Sequence, residues 1–357
     1  MTKRFLTVFG TVLLGTGAFL FVKKFVRVSY KDVSTLSYKL PKTMEVAYLK
    51  NESERDNYQN FSLEKISVPS LLEGEVLVKV ASASFATYEF SYRKNLKNGA
   101  KFVPCSDFSG VVVGLSSEGL PFELGEKVFG HVDVQKQDGA CAEYVKVNVK
   151  QIAKKPFSLG MQQAAVLPTI IMNLYATGVE DFEKVEGKDV LIDDAVSENG
   201  VTIMGVLSKF GANVTAVDNK SFEPFMYSYG AKKFVAFEDF AKQSKEHERK
   251  YDFVFDLNGG LKMSDLAKML KRDGVMVSYT DDEQNAKVSG GLNVRYLNKI
   301  NFSEVGDEYD LLKKFSNGDV PITVSKQFHL KQMYDAFTRA AKGSLQGRVL
   351  VNVAKLD

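Results

Sequence analysis

The chain of 357 residues contains no tryptophan, only two cysteines and only three histidines. Cys105, Cys141, His131, His247 and His329 stand in no short ligand-like spacing. A structural zinc lobe needs about four soft ligands, so that class is excluded, and a catalytic zinc built from distant residues is left few combinations. Cysteines this sparse suit a reducing compartment where thiols stay free, and both are expected as small core hydrophobes. An excess of one charge is also missing, with 47 Lys and Arg against 44 Asp and Glu. No protein-wide basic field therefore points to nucleic acid, and no nucleic-acid partner is expected.

One uncharged, predominantly apolar run stands near the N-terminus. Residues 5 to 22, "FLTVFGTVLLGTGAFLFV", carry no charge; Lys3 and Arg4 precede them, and Lys23, Lys24 and Arg27 follow. As a helix at about 1.5 Å per residue this run would reach ~27 Å, close to a hydrocarbon core of about 30 Å. One N-terminal transmembrane helix, an anchor over residues 1–30, is therefore expected. A cleaved signal, a mitochondrial presequence and a buried helix are the alternatives. The run exceeds a usual signal core, lacks a clear A-x-A site, and is not broken by spaced charges as a transit peptide would be. Basic flanks on both sides set orientation weakly. The glycosylation-like triplets at Asn51, Asn60, Asn213, Asn219 and Asn301 are read as chance matches, since Asn213 falls in an expected buried strand. No acid precedes Asp32. The expected location is a single-pass membrane protein with its main domain in a reducing compartment, a mitochondrial membrane ahead of the endoplasmic reticulum.

After a polar linker at 31–43 the pattern becomes β-rich. "MEVAYLK", "EVLVKVASAS", "SGVVVGL", "EKVFGHV" and "AEYVKVN" are short strand-like runs parted by Gly, Ser, Asn or Asp, which predicts an antiparallel, barrel-like domain over 44–158. Over 159–319 helix and strand alternate. "KDVLID" and "NVTAVD" read as strands around "NGVTIMGVLSKFGA", a helix with Val201, Met204, Leu207 and Phe210 on one face. Such alternation predicts a doubly wound parallel sheet, hence an α/β class. The closing segment 320–357 is expected to return to the first domain and complete it.

Several stretches keep register with one family: "PCSDFSGVVVG" at 104–114, "GEKVFG" at 125–130, "GACAEYVKV" at 139–147, "AAVLPTIIMNLYAT" at 164–177, "YDFVFDLNGG" at 251–260 and the closing "GSLQGRVLVNV". In this order they resemble the medium-chain dehydrogenase/reductase superfamily, in its zinc-independent quinone-oxidoreductase-like branch. The resemblance implies a GroES-like domain, a Rossmann domain, and a cleft where hydride passes from NADPH to a quinone or activated alkene. It also implies no zinc, because Ser106 and Asp107 stand where zinc-dependent relatives carry Gly-His-Glu. Family members often dimerise, so a homodimer is a further expectation.

The departures bear on chemistry. Relatives use Gly-Ala-x-Gly-Gly-Val-Gly at the first turn, where this chain has Asp194, Ala195, Val196, Ser197, Glu198, Asn199 and Gly200. Glycine there supplies positive φ and lets backbone approach a diphosphate at the helix N-terminus. Only the last glycine remains, the one that serves helix packing. Ser197, Glu198, Asn199 and Gly200 are the candidate loop contacts. Asp218 is the candidate ribose acceptor, Lys220 the candidate 2′-phosphate contact, and Asn173 the residue in place of a family threonine near the nicotinamide. Ile171 and Thr280 replace family glycines there. The Asn-Pro-x-Asp stretch of relatives falls on Ala86, Thr87, Tyr88 and Glu89, so the catalytic residue is left unknown; Tyr88 and Tyr92 are two among 15 tyrosines. Two readings remain open. One is a membrane-anchored reductase-like protein with an eroded NAD(P)H site, with NADP(H) or no cofactor bound, weak or no hydride transfer, and a protein or a small apolar ligand as its partner. The other is an active NADPH-dependent, zinc-independent reductase.

Overall fold

The computed structural model describes residues 6–14, 18–26, 36–50, 61–86, 89, 100–134, 138–176, 182–240, 242, 244–257, 261–278, 293–296, 322–341 and 347–354. Its N-terminal part corrects one expectation. The uncharged run forms two strands, β1 (Leu6–Leu14) and β2 (Ala18–Val26), paired antiparallel from Leu6↔Val26 to Leu14↔Ala18. Among the described residues no helix is long and apolar enough to cross a membrane. The physical reason is local: β-branched and aromatic residues such as Thr7, Val8, Phe9, Val12, Phe21 and Val22 favour strands, and Gly15 and Gly17 are poor helix formers in mid-run.

The first domain is a strand-rich body. It comprises β3 (Leu36–Ser37), β4 (Thr43–Lys50), β5 (Phe61–Ser67), β6 (Glu75–Ser84), β7 (Lys101–Phe102), β8 (Asp107–Leu115), β9 (Lys127–His131), β10 (Tyr144–Asn148) and β11 (Ile152–Lys154). Strands β5, β4 and β7 form one antiparallel sheet, and β11, β9, β8 and β6 run side by side in a larger one. Alternation along β8 and β6 sends Val76, Val78, Val80, Phe108 and Val112 into one apolar core. A helix, α1 (Pro168–Ala176), leads into the second domain.

That domain follows the expected alternation. Strands β12 (Asp189–Asp193), β13 (Asn213–Asp218), β14 (Lys233–Ala236), β15 (Tyr251–Asp256), β16 (Leu270–Ser278) and β17 (Asn293–Tyr296) form a wholly parallel sheet in the order β14-β13-β12-β15-β16-β17. This is the doubly wound arrangement with two halves diverging from the centre. Helix α2 (Glu198–Lys209) buries Val201, Ile203, Met204, Val206 and Leu207. Phe210, placed on its apolar face by spacing, is instead the C-cap residue and stays 36% exposed, because Gly211 at φ +84° turns the chain away directly after it.

The chain then returns to the first domain. Strand β18 (Val324–His329), helix α3 (Met333–Ala341) and strand β19 (Arg348–Asn352) form a parallel crossover, with β19 antiparallel to β6 and β18 outermost. Met333, Ala336, Phe337 and Ala340 seal the first core from outside. The expectation of two free core thiols is also corrected. Cys105 and Cys141 are both fully buried, as core residues should be, but they are bonded to each other with Cα atoms 5.3 Å apart. Backbone pairing of 103–105 with 139–141, through Gly139 N to Val103 O and Cys141 N to Pro104 O, brings them together. Nothing in a separation of 36 residues announces that contact, and the argument from free thiols to a reducing compartment lapses with it.

Candidate functional site

The carboxyl edge of the parallel sheet turns back on itself between β12 and β15, the place where ligands bind open α/β sheets. Asp193, Asp218 and Asp256 end β12, β13 and β15, and Ser278 ends β16. Register sets Asp193 beside Asp256 and Asp256 beside Ser278, whose hydroxyl donates to Asp256 at 2.8 Å. The edge is thus lined with carboxylates.

The loop from Asp194 to Gly200 keeps its turn without its glycines. Asp194 takes φ +59°, in the left-handed region that Asp and Asn tolerate better than other side chains. Ser197 is the N-cap of α2, and its Oγ accepts from Gly200 N at 3.2 Å. At Gly200 a Cβ would stand 2.7 Å from the carbonyl oxygens of Asp194 and Ala195, so only glycine lets helix and loop approach this closely. Several N–H groups of the loop are answered within the chain. Val196 N donates to Asp218 Oδ2 at 2.7 Å, Ser197 N to Asp194 O at 3.0 Å and Val201 N to Ser197 O at 3.1 Å. Asp218 Oδ1 accepts from Asn219 N at 2.7 Å.

The electrostatics follow from crowding. Burial, then the neighbouring Asp256, pushes the pKa of Asp193 up to about 7, against a hydrogen bond from Leu261 N. Burial, then Asp218, pushes that of Asp194 up to about 6. Burial also raises Asp218, opposed by the N–H groups of Val196 and Asn219.

Of the sequence-predicted contacts, Ser197, Asn199, Gly200 and Asp218 come together at this loop. Asn199 is buried on the first turn of α2. Glu198 and Asn173 lie on helices, but their side chains, like Tyr88, Tyr92 and Thr280, lie outside the described residues. Lys220 sits on the turn after β13 and pairs with Glu223 at 2.5 Å. Ile171 is fully buried in the core between α1, α2 and the sheet.

A second polar cluster escaped sequence reasoning. Asp107 on β8, His131 on β9, Thr169 on α1 and Arg348 on β19 meet at the junction of the two domains, all at most 3% exposed. Arg348 contacts Asp107 Oδ2 and the Phe85 carbonyl and donates to Val166 O at 3.0 Å. His131 Nδ1 lies 2.9 Å from Asp107 Oδ1, and Thr169 Oγ1 donates to the same oxygen at 2.7 Å. Burial works to raise Asp107, but Arg348, His131 and Thr169 outweigh it and hold its carboxyl below the usual range. Glu89 is the opposite case. It is fully buried, and burial raises it although it accepts from Ala86 N, Cys105 N, Ser106 N and Ser106 Oγ at 2.7–2.8 Å. The signals were present as "PCSDFSG" and "QGRVLV", but the partners lie 62 and 241 residues from Asp107. Among the described residues no group of three or more His, Cys, Asp or Glu is placed to hold a metal.

Comparison with known proteins bears on both domains. Residues 72–157 match the family profile of the alcohol dehydrogenase GroES-like domain, and residues 227–351 match that of zinc-binding dehydrogenases. The chain is 28% identical to an NADPH-dependent alkenal/one oxidoreductase, chloroplastic, of Arabidopsis thaliana, covering 92% of this chain and 86% of the relative. It is 25% identical to the NAD(P)H oxidoreductase RTN4IP1, mitochondrial, of Mus musculus, covering 91% and 92%. The solved quinone oxidoreductase of Coxiella burnetii superposes with a TM-score of 0.72 over 88% of this chain and all of that one, at 24% identity.

Proposed function

The chain belongs to the medium-chain dehydrogenase/reductase superfamily, and we propose that within it this protein is a quinone-oxidoreductase-like member whose NAD(P)H site is eroded. Hydride transfer is weak or absent, and the protein acts by binding a protein or an apolar ligand. One observation carries the reading: Asp218 takes the Val196 N–H at 2.7 Å, and Asp194 stands at the turn in place of glycine. A carboxylate of the chain thus fills a role that a phosphate oxygen would fill. Two unit charges ~5 Å apart repel by about 3 kcal/mol at an effective dielectric of ~20, or about a hundredfold in affinity. Protonation of Asp193 below about pH 7 and of Asp194 below about pH 6 softens that repulsion without freeing the Val196 N–H. The residues present do not fit a dinucleotide. Ser106 and Asp107 do not fit zinc either, since Ser106 serves Glu89 and Asp107 is held by Arg348 and Thr169.

The competing reading is an active NADPH-dependent reductase of quinones or activated alkenes. The names of the two reductase relatives favour it, as does an acid at the end of β13, where a ribose hydroxyl meets the sheet in this fold. NADPH emission decides between them, because the chain has no tryptophan. Titration of the full chain is expected to show no saturation up to millimolar cofactor, and the Asp194→Gly, Glu198→Gly double variant is expected to bind at least about tenfold better than the parent. Saturable micromolar binding by the parent would sink the eroded-site reading. The name of the mouse relative supports a mitochondrial location, and the uncharged run at 5–22 supports attachment to a membrane there.

A further inference from the structure

The parallel crossover at the C-terminus leaves one edge of the large sheet open. Strand order ends at β18, and among the described residues no strand pairs with its outer edge. Beside that edge lies a groove of about 440 Å³ between β18 and α3. Its strand wall is Lys326, Gln327 and Phe328, three consecutive residues whose side chains alternate between the two faces of the sheet. Lys326 and Phe328 share one face of β18 and Gln327 points to the other, so the groove opens beside the outermost strand. Its helix wall is Asp335, Thr338 and Arg339, at the i, i+3, i+4 spacing of one helix face.

The edge is held in place. Gln327 Oε1 accepts from Gln162 Nε2 at 3.2 Å and from Asn352 Nδ2 at 3.1 Å, which ties β18 to the body of the domain. Phe328 and, on the helix, Met333, Ala336 and Phe337 pack into the core, so the two walls keep a fixed separation. Lys326 and Arg339 face the groove without a salt bridge among the described residues; Lys326 Nζ lies 5.4 Å from the centre of the Phe328 ring. Exposed Lys331 adds a third positive charge at the turn between the walls, against the single negative charge of Asp335.

We propose that this groove is a docking site for an extended acidic segment of another protein, which joins the sheet as an added strand on β18 and sets its carboxylates against Lys326 and Arg339. Main-chain pairing would supply affinity, and the two cations the preference for acids. A lysine on an exposed edge is also a common device against self-pairing. That role is compatible: charges that deter a second copy of this edge attract an acidic strand. The proposal concerns a site remote from the carboxylate-lined edge of the parallel sheet and holds whether or not NADPH binds.

The test uses the full chain in detergent and a fluorescein-labelled peptide of alternating Glu and Val, about eight residues long to run the length of β18. Fluorescence anisotropy is expected to show saturable binding that weakens about tenfold or more with the Lys326→Glu, Arg339→Glu double variant. An otherwise identical peptide with alternate backbone nitrogens methylated is expected to lose binding, because it cannot pair with a strand. Unchanged melting of the double variant establishes that both surface substitutions leave the fold intact; were it to melt early, Lys326→Gln and Arg339→Gln replace them. Equal binding by the methylated peptide would mean that charge alone attracts it, and no binding by the acidic peptide would mean that the edge is closed. A dimer of the parent chain that the charge-reversal variant disrupts would assign the groove to a second copy. Each of these three results overturns the proposal.

Discussion

Asp193 shows what burial does to one side chain. It is fully buried at the end of the central strand, with Asp256 beside it and one oxygen held by Leu261 N. Its pKa, pushed up to about 7, means that the folded chain keeps a proton that the unfolded chain has lost above about pH 4. The sign follows: a raised acid contributes no penalty below its unfolded pKa, and stability then falls as pH rises through the interval up to about 7. Asp193→Asn should therefore stabilise the protein, and by about 2–3 kcal/mol more at pH 8 than at pH 5 in denaturant titrations. A pH-independent difference would show that Asp193 titrates normally. His247, lowered by burial and then by Lys250, loses stability toward acid, but it does so equally in both proteins and cancels.

At the scale of elements, the fold is closed by β19. This strand brings Arg348 against Asp107 on β8, the Phe85 carbonyl after β6 and the Val166 carbonyl ahead of α1. One guanidinium therefore links the first domain, the closing segment and the entry to the parallel sheet. Arg348→Met leaves a fully buried carboxylate with only His131 and Thr169, which should cost about 3–5 kcal/mol in chemical denaturation. Adding Asp107→Leu should recover part of that loss, with a coupling of about 1 kcal/mol or more. Strict additivity would show that the two residues act independently. The elements themselves were largely legible. Alternation in "EVLVKVASAS" and "SGVVVGL" marks half-buried strands, and "KDVLID" and "NVTAVD" around a helical stretch mark the parallel unit. The pattern failed at Phe210, where a following glycine outweighed a helical period, and in residues 6–14 and 18–26, where β-branched and aromatic content outweighed hydrophobic length.

At the scale of the whole molecule, the uncharged run remains the feature with the largest consequence outside the two domains. If residues 5–22 hold the chain to a membrane, the full chain should remain in the pellet after alkaline carbonate extraction and a chain begun at Thr43 should not; release of both would exclude attachment through that run. The sequence by itself determined the class of fold, because periodicity and turn residues are local properties written in consecutive positions. It also determined that the phosphate loop lacks its glycines, because that is a matter of residue identity. Only the tertiary structure decided what meets that loop: Asp218 lies 22 residues from the Val196 N–H that it accepts, and a sequence cannot show that a carboxylate folds back there. It likewise decided that Cys105 meets Cys141 and that Asp107 meets Arg348. Such contacts depend on how strands pair across the domain, and pairing between distant segments is fixed by packing of the whole chain rather than by any one stretch of it.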